Sequence, residues 1–108
     1  MRVIGVCVLV LLASKVSAMA DIRLICENPR HEYLIVYRPE AEVLLLNPDS
    51  ERTTYPILVD DNDDRSHIVT AATPNGGPTA RLHLRPYLKV EFWSGGTVIQ
   101  TDGCYRKD

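Results

Sequence analysis

The 108-residue chain sets 12 Lys and Arg against 14 Asp and Glu, and this formal charge of −2 offers no electrostatic basis for holding nucleic acid by its phosphates. With 45% apolar residues the chain can build one core, and its length bounds it to one small domain. Internal repeats and low-complexity tracts are both absent from the sequence.

Met1 and Arg2 form a short basic start, residues 3–13 are almost unbroken apolar, and Ala18-Met19-Ala20 is a small-x-small site before Asp21. Together these read as a secretory signal peptide over residues 1–20. The apolar run is about 11 residues, too short to cross a bilayer at 1.5 Å per residue. Residues 21–108 are therefore expected to be a single exported β domain, in the periplasm or outside the cell, that does not span a membrane after cleavage. Cys7 leaves with the signal. Removing Arg2 and Lys15 takes the formal charge from −2 to −4, a sign that permits a basic partner. Cys26 and Cys104 remain near the two ends, in a compartment where disulfides persist. They are expected to pair, at a loop-closure value of about 4–5 kcal/mol. With no CxxC and no histidine nearby, zinc binding and thiol chemistry are not indicated.

Strand signals then recur to the end of the chain. Residues 22–26 alternate weakly, residues 33–37 are β-branched and aromatic with Tyr33 and Tyr37 on one face, and residues 41–46 are strongly apolar. Asn47-Pro48-Asp49-Ser50 reads as a turn. Residues 53–59 carry Pro56, which cannot donate to a ladder, so this strand should lie at an edge or be bulged. Asp60, Asp61, Asp63 and Asp64 end it. Asp60, Asn62 and Asp64 stand at the first, third and fifth places of a calcium-loop count, but Arg65 and Ala71 occupy the glycine and closing-glutamate places. A solvated loop, exposed and without metal, is expected there.

Residues 66–72 are strand-like again, and Pro74-Asn75-Gly76-Gly77-Pro78 breaks the pattern. Ala80, Leu82 and Leu84 then alternate with Arg81, His83 and Arg85, and Leu88, Val90 and Phe92 alternate with Lys89 and Glu91. This is the period of strands with one face on a core. Trp93 and Tyr87 fall on the other face, either as an exposed pair that anchors a partner or tucked under a loop of a curled barrel. Gly95-Gly96 suits a hairpin turn, residues 97–101 form a last strand, and residues 105–108 form a loose tail. About eight short strands with regular turns make an all-β domain, a small antiparallel barrel or alternatively a β-sandwich.

Few residues carry chemistry. His31, His67 and His83 each sit among polar neighbours and read as exposed. The chain has no G-x-S-x-G elbow and no phosphate-binding glycine loop. Asn28, Asn47, Asn62 and Asn75 lie outside any glycosylation site. The reading is non-catalytic, with no cofactor and no metal.

The layout from Cys26 to Cys104, with Phe92-Trp93-Ser94-Gly95-Gly96-Thr97-Val98 before the last strand, resembles the MliC/PliC family of periplasmic inhibitors of C-type lysozyme. The resemblance implies a compact eight-stranded barrel. It also implies that a loop serine and a hairpin lysine are directed at the enzyme's catalytic carboxylates. Trp93 and Gly96 match the family's hairpin, and the stretch through Asn75, Gly76, Gly77, Thr79 and Arg81 matches its glycine-rich loop. Gly95 stands at the place of the lysine, the loop has no serine, and Leu82 replaces a tyrosine. The implied partner contact is therefore Asn75, Gly76, Gly77, Thr79, Arg81, Trp93, Gly95 and Gly96. The expected function is a secreted protein-binding domain with a lysozyme as its implied target. The alternative is a structural or small-ligand-binding envelope barrel.

Overall fold

The computed structural model describes residues 20–47, 53–73 and 76–107. The expected signal peptide, most of the turn at 47–50, and Pro74 and Asn75 of the glycine loop lie outside the described residues.

Eight strands follow one another along the chain: β1 (Ile22–Glu27), β2 (Glu32–Arg38), β3 (Val43–Leu46), β4 (Thr53–Asn62), β5 (His67–Ala71), β6 (Thr79–Arg85), β7 (Lys89–Ser94) and β8 (Thr97–Arg106). Each pairs antiparallel with the next and β8 returns to β1, closing a barrel rather than a sandwich. Among the described residues there is no helix, and so none long and apolar enough to cross a membrane.

Strand parity explains the interior. Leu24 and Cys26, then Tyr33, Ile35 and Tyr37, then Leu44 and Leu46 point inward and meet Val69, Ala71, Ala80, Leu82, Leu84 and Val90 in one buried cluster. Tyr55, Ile57, Leu88 and Phe92, partly buried, pack against it. β2 departs from simple alternation, because Leu34 and Val36 are buried too. With Leu45, and with Ile25 and Val43 partly buried, they form a second apolar cluster on the outer side of β1–β3.

The bridge follows from register. Cys26 and Cys104 face each other across β1 and β8, with Cα atoms 4.0 Å apart, and are joined by a disulfide. The Cys104 N–H donates the other way, to Leu88 O at 3.1 Å. The two cysteines therefore form a non-hydrogen-bonded pair, the kind whose side chains approach closest.

Some expectations change in detail. Of the two expectations for Pro56, the edge does not hold, since β4 is covered there by β3 with Pro56 opposite Val43, and the bulge does: the β4–β5 register shifts just after it, between Ile57 and Val59. Ala41 and Glu42 belong to the β2–β3 turn, with Glu42 at φ 57°. Asp60 and Asp61 extend β4, so the acidic turn proper is short. It stays exposed, and Asp63 Oδ1 accepts the Arg65 and Ser66 N–H groups at 2.8 and 2.9 Å. The tail is not loose: Tyr105 and Arg106 pair with Ile25 and Leu24, and the Lys107 N–H donates to Arg23 O at 2.9 Å.

The antiparallel order sorts the loops to two ends. The β1–β2 turn, the glycine loop between β5 and β6, and the β7–β8 turn share one end, which we call the hairpin end. The β2–β3, β4–β5 and β6–β7 loops share the other.

Candidate functional site

The hairpin end joins the elements that the sequence singled out separately. Thr79, the first residue of β6, pairs with Trp93 near the end of β7, so the glycine loop and the β7–β8 turn are neighbours. Ser94 pairs with Thr97 across a two-residue turn in which Gly95 and Gly96 have φ of 59° and 79°. Positive φ at both places is the requirement of a turn that follows the twist of its strands, and glycine meets it without steric cost. In the other loop, Gly76 and Gly77 are exposed, and a Cβ on Gly77 would stand 3.1 Å from Thr73 Oγ1. That hydroxyl oxygen is buried and has no hydrogen-bond partner among the described residues. Asn75 lies outside the described residues.

Beside these turns, the outer faces of β6 and β7 carry a continuous polar cluster. Register sets Arg81 opposite Glu91 and His83 opposite Lys89. The Arg81 guanidinium lies 5.3 Å from the centroid of the Trp93 ring, a cation–π distance. Trp93 Nε1 donates to Glu91 Oε1 at 3.1 Å, and His83 Nε2 lies 3.1 Å from the same oxygen. Lys89 Nζ is 3.5 Å from Glu91 Oε2. Burial works against the charge of Glu91, but hydrogen bonds from His83 and Trp93, with the charges of His83 and Lys89, outweigh it and hold its carboxyl below the usual range. Trp93 is thus half-buried and fixed in orientation, while Arg81 meets only its ring among the described residues.

The expected Trp–Tyr pair does not form. Tyr87 is 75% exposed but sits in the β6–β7 loop, at the opposite end of β7 from Trp93. Arg85 is also at that far end, donating to Asn62 Oδ1 at 2.5 Å and Asp63 O at 2.6 Å. Leu82, at the place of the family's tyrosine, is fully buried in the core.

Two histidines expected at the surface are not free there. His83 is part of the cluster just described, its side chain 14% exposed. His67 is buried, with Nε2 2.7 Å from Asp60 Oδ1 and its ring edge-on to Tyr37. Asp60 also accepts from the Tyr37 hydroxyl. A second internal network joins the Tyr33 hydroxyl to buried Asp102, which accepts from Gln100 Nε2 at 2.8 Å. Burial first, then the hydrogen bonds to Asp102 and Asp60, raise the Tyr33 and Tyr37 phenols above their ordinary value of 10. The Asp102 network satisfies polar groups inside the barrel, as buried polar groups require, whereas buried His67 and Tyr37 are satisfied by Asp60, whose own side chain is 34% exposed.

None of the family models, curated proteins or solved structures compared with the chain matches it.

Proposed function

We propose that the chain is an exported, non-catalytic protein-binding domain that works through its hairpin end, with a C-type lysozyme as its target. One observation carries this reading: the Thr79–Trp93 pairing sets the glycine loop beside the hairpin, the two elements that the family resemblance makes inhibitory. Trp93 offers a large side chain already held in place by Arg81 and Glu91, so little rotamer freedom is lost on binding. The barrel interior is occupied by its own side chains, which supports a surface role over a ligand held inside.

Gly95 supplies no ammonium for the enzyme's carboxylates. Arg85 cannot replace it, because it is tied to Asn62 and Asp63 at the other end. Arg81 is the cation best placed to do so, one strand from the glycine loop and stacked on Trp93. Losing a buried charged anchor costs about 2–5 kcal/mol, so inhibition should be about 30- to several-thousand-fold weaker than in a relative that keeps the lysine.

The test is a turbidity assay of cell-wall lysis by C-type, G-type and I-type lysozymes, with the purified disulfide-bonded chain in molar excess. Protection against the C-type enzyme, reduced at least about ten-fold in potency by Trp93→Ala or Arg81→Ala, is the expected result. No protection from any of the three by correctly folded protein would remove lysozyme as the target.

A further inference from the structure

At the end of the barrel away from the hairpin, β4 outruns the strand beside it. β3 covers it only from Thr53 to Pro56, and the last bond between them runs from the Ile57 N–H to Glu42 O at 2.9 Å. Leu58 then falls in the β4–β5 register shift and has no partner on β5. It is 63% exposed, and Val59 next to it 55%. Between this stretch and the β2–β3 turn lies a cleft of about 330 Å³ lined by Pro39, Glu42, Ile57, Leu58 and Asp60.

The frame of the cleft is fixed. The Glu42 N–H donates to Pro39 O at 3.2 Å while the Glu42 carbonyl is held by Ile57, so the turn is closed on itself and tied to β4. Asp60 is anchored through both carboxylate oxygens, Oδ1 to His67 Nε2 and Oδ2 to the Tyr37 hydroxyl, yet its side chain stays partly exposed. Among the described residues neither Glu42 nor Asp60 is paired with a lysine or arginine, and Arg38, which ends β2, is engaged by Asp21 at 3.0 Å. Glu40 and Asp61 stand close by in sequence and add to the negative charge.

The lining sorts the occupants. Pro39, Ile57 and Leu58 are apolar and Glu42 and Asp60 are acidic, which suits a cationic head on an aliphatic stem. A guanidinium fork is matched by both oxygens of one carboxylate, and those of Asp60 are already engaged. An ammonium can share its three donors between two carboxylates. We propose that the cleft receives a lysine side chain of a protein partner. The stem lies along Pro39, Ile57 and Leu58, the ammonium meets Glu42 and Asp60, and apolar neighbours of that lysine cover Leu58 and Val59. Asp60 is oriented before the partner arrives, which limits the ordering cost of binding. The inference is independent of the lysozyme reading.

Amide NMR titration of the disulfide-bonded chain with the capped tripeptide Val-Lys-Val tests it, beside Val-Arg-Val, Val-norleucine-Val and butylamine. The lysine peptide should shift the amides of Glu42, Ile57, Leu58 and Asp60 with a dissociation constant of about 1–10 mM. It should bind at least about three-fold more tightly than each of the other probes. Glu42→Gln and Leu58→Ser change exposed side chains, and each should weaken it at least about three-fold, with the Cys26–Cys104 bridge and Trp93 emission unchanged as checks of folding. Equal binding of the norleucine peptide would reduce the cleft to apolar contact, and equal binding of the arginine peptide or butylamine would remove its choice of a lysine within a chain. Any of these, or shifts that are absent or indifferent to both variants, would overturn the proposal.

Discussion

Glu91 ties together the outer faces of β6 and β7, and its titration is the most direct handle on the candidate site. Its folded carboxyl lies below the ordinary 4.5, because His83, Trp93 and Lys89 favour its charge more than burial opposes it. For an acid with a lowered value, the stabilisation is complete above the unfolded value and is lost as pH falls through the folded one. Trp93 is the only tryptophan in the chain, so its emission should hold steady from neutral pH to about 4.5 and change below that. Glu91→Gln should abolish the acid transition; an unchanged transition in that variant would assign it elsewhere. Inside the barrel, Tyr33→Phe leaves the Asp102 carboxyl with Gln100 alone and should cost about 1.5–3 kcal/mol in urea unfolding. Part of this was legible in the sequence. The alternation of Arg81, His83, Lys89 and Glu91 with apolar residues placed all four on the outer face. His67 was misread because its polar neighbours in sequence outweighed its parity with Val69 and Ala71, which puts it inside with them. Asp102 shares parity with Cys104 in the same way, but it falls just past the expected end of the last strand at Thr101, and its partner, Tyr33, is brought in from far along the chain.

The elements were legible where the signal is local. Strict alternation in β6 and β7 and the glycine pair of the β7–β8 turn depend only on neighbouring residues. Strand ends depend on partners. β8 runs on through Gly103 to Arg106 because β1 supplies a ladder that no local pattern announces. Pro56 pointed to an edge or a bulge, and only its strand partners decide between them: β3 covers it and the β4–β5 register shifts beside it. The hairpin turn offers a gain-of-function test. A Cβ at Gly95 meets nothing within 4 Å, so Gly95→Lys carries only the left-handed backbone cost of about 1–2 kcal/mol. If the hairpin is the lysozyme contact, the restored ammonium should strengthen inhibition by about 30-fold or more in the turbidity assay. A folded Gly95→Lys protein with unchanged potency would exclude the hairpin tip from the contact.

At the scale of the molecule, the closure of the barrel depends on the segment where the two ends of the domain meet. β1 and β8 share four ladder pairs, and one of them is the Cys26–Cys104 bridge, whose cysteines are 78 positions apart in sequence. Because the cysteines are so far apart in sequence, the bridge restricts nearly the whole unfolded domain, and loop-closure entropy puts its contribution at about 4–5 kcal/mol. A small domain is stable by only about 5–15 kcal/mol in total, so the bridge is a large share of what holds the fold. Changing both cysteines to serine should therefore lower the urea midpoint strongly and bring unfolding close to ambient conditions. Intact-mass measurement of the chain purified without reductant should first show the bridged form, about 2 Da below the dithiol. Equilibrium unfolding of the bridged chain and of the Cys26→Ser, Cys104→Ser variant then gives the difference. A loss smaller than about 1 kcal/mol would mean that the β1–β8 ladder closes the seam by itself, or that the unfolded chain already keeps its two ends together.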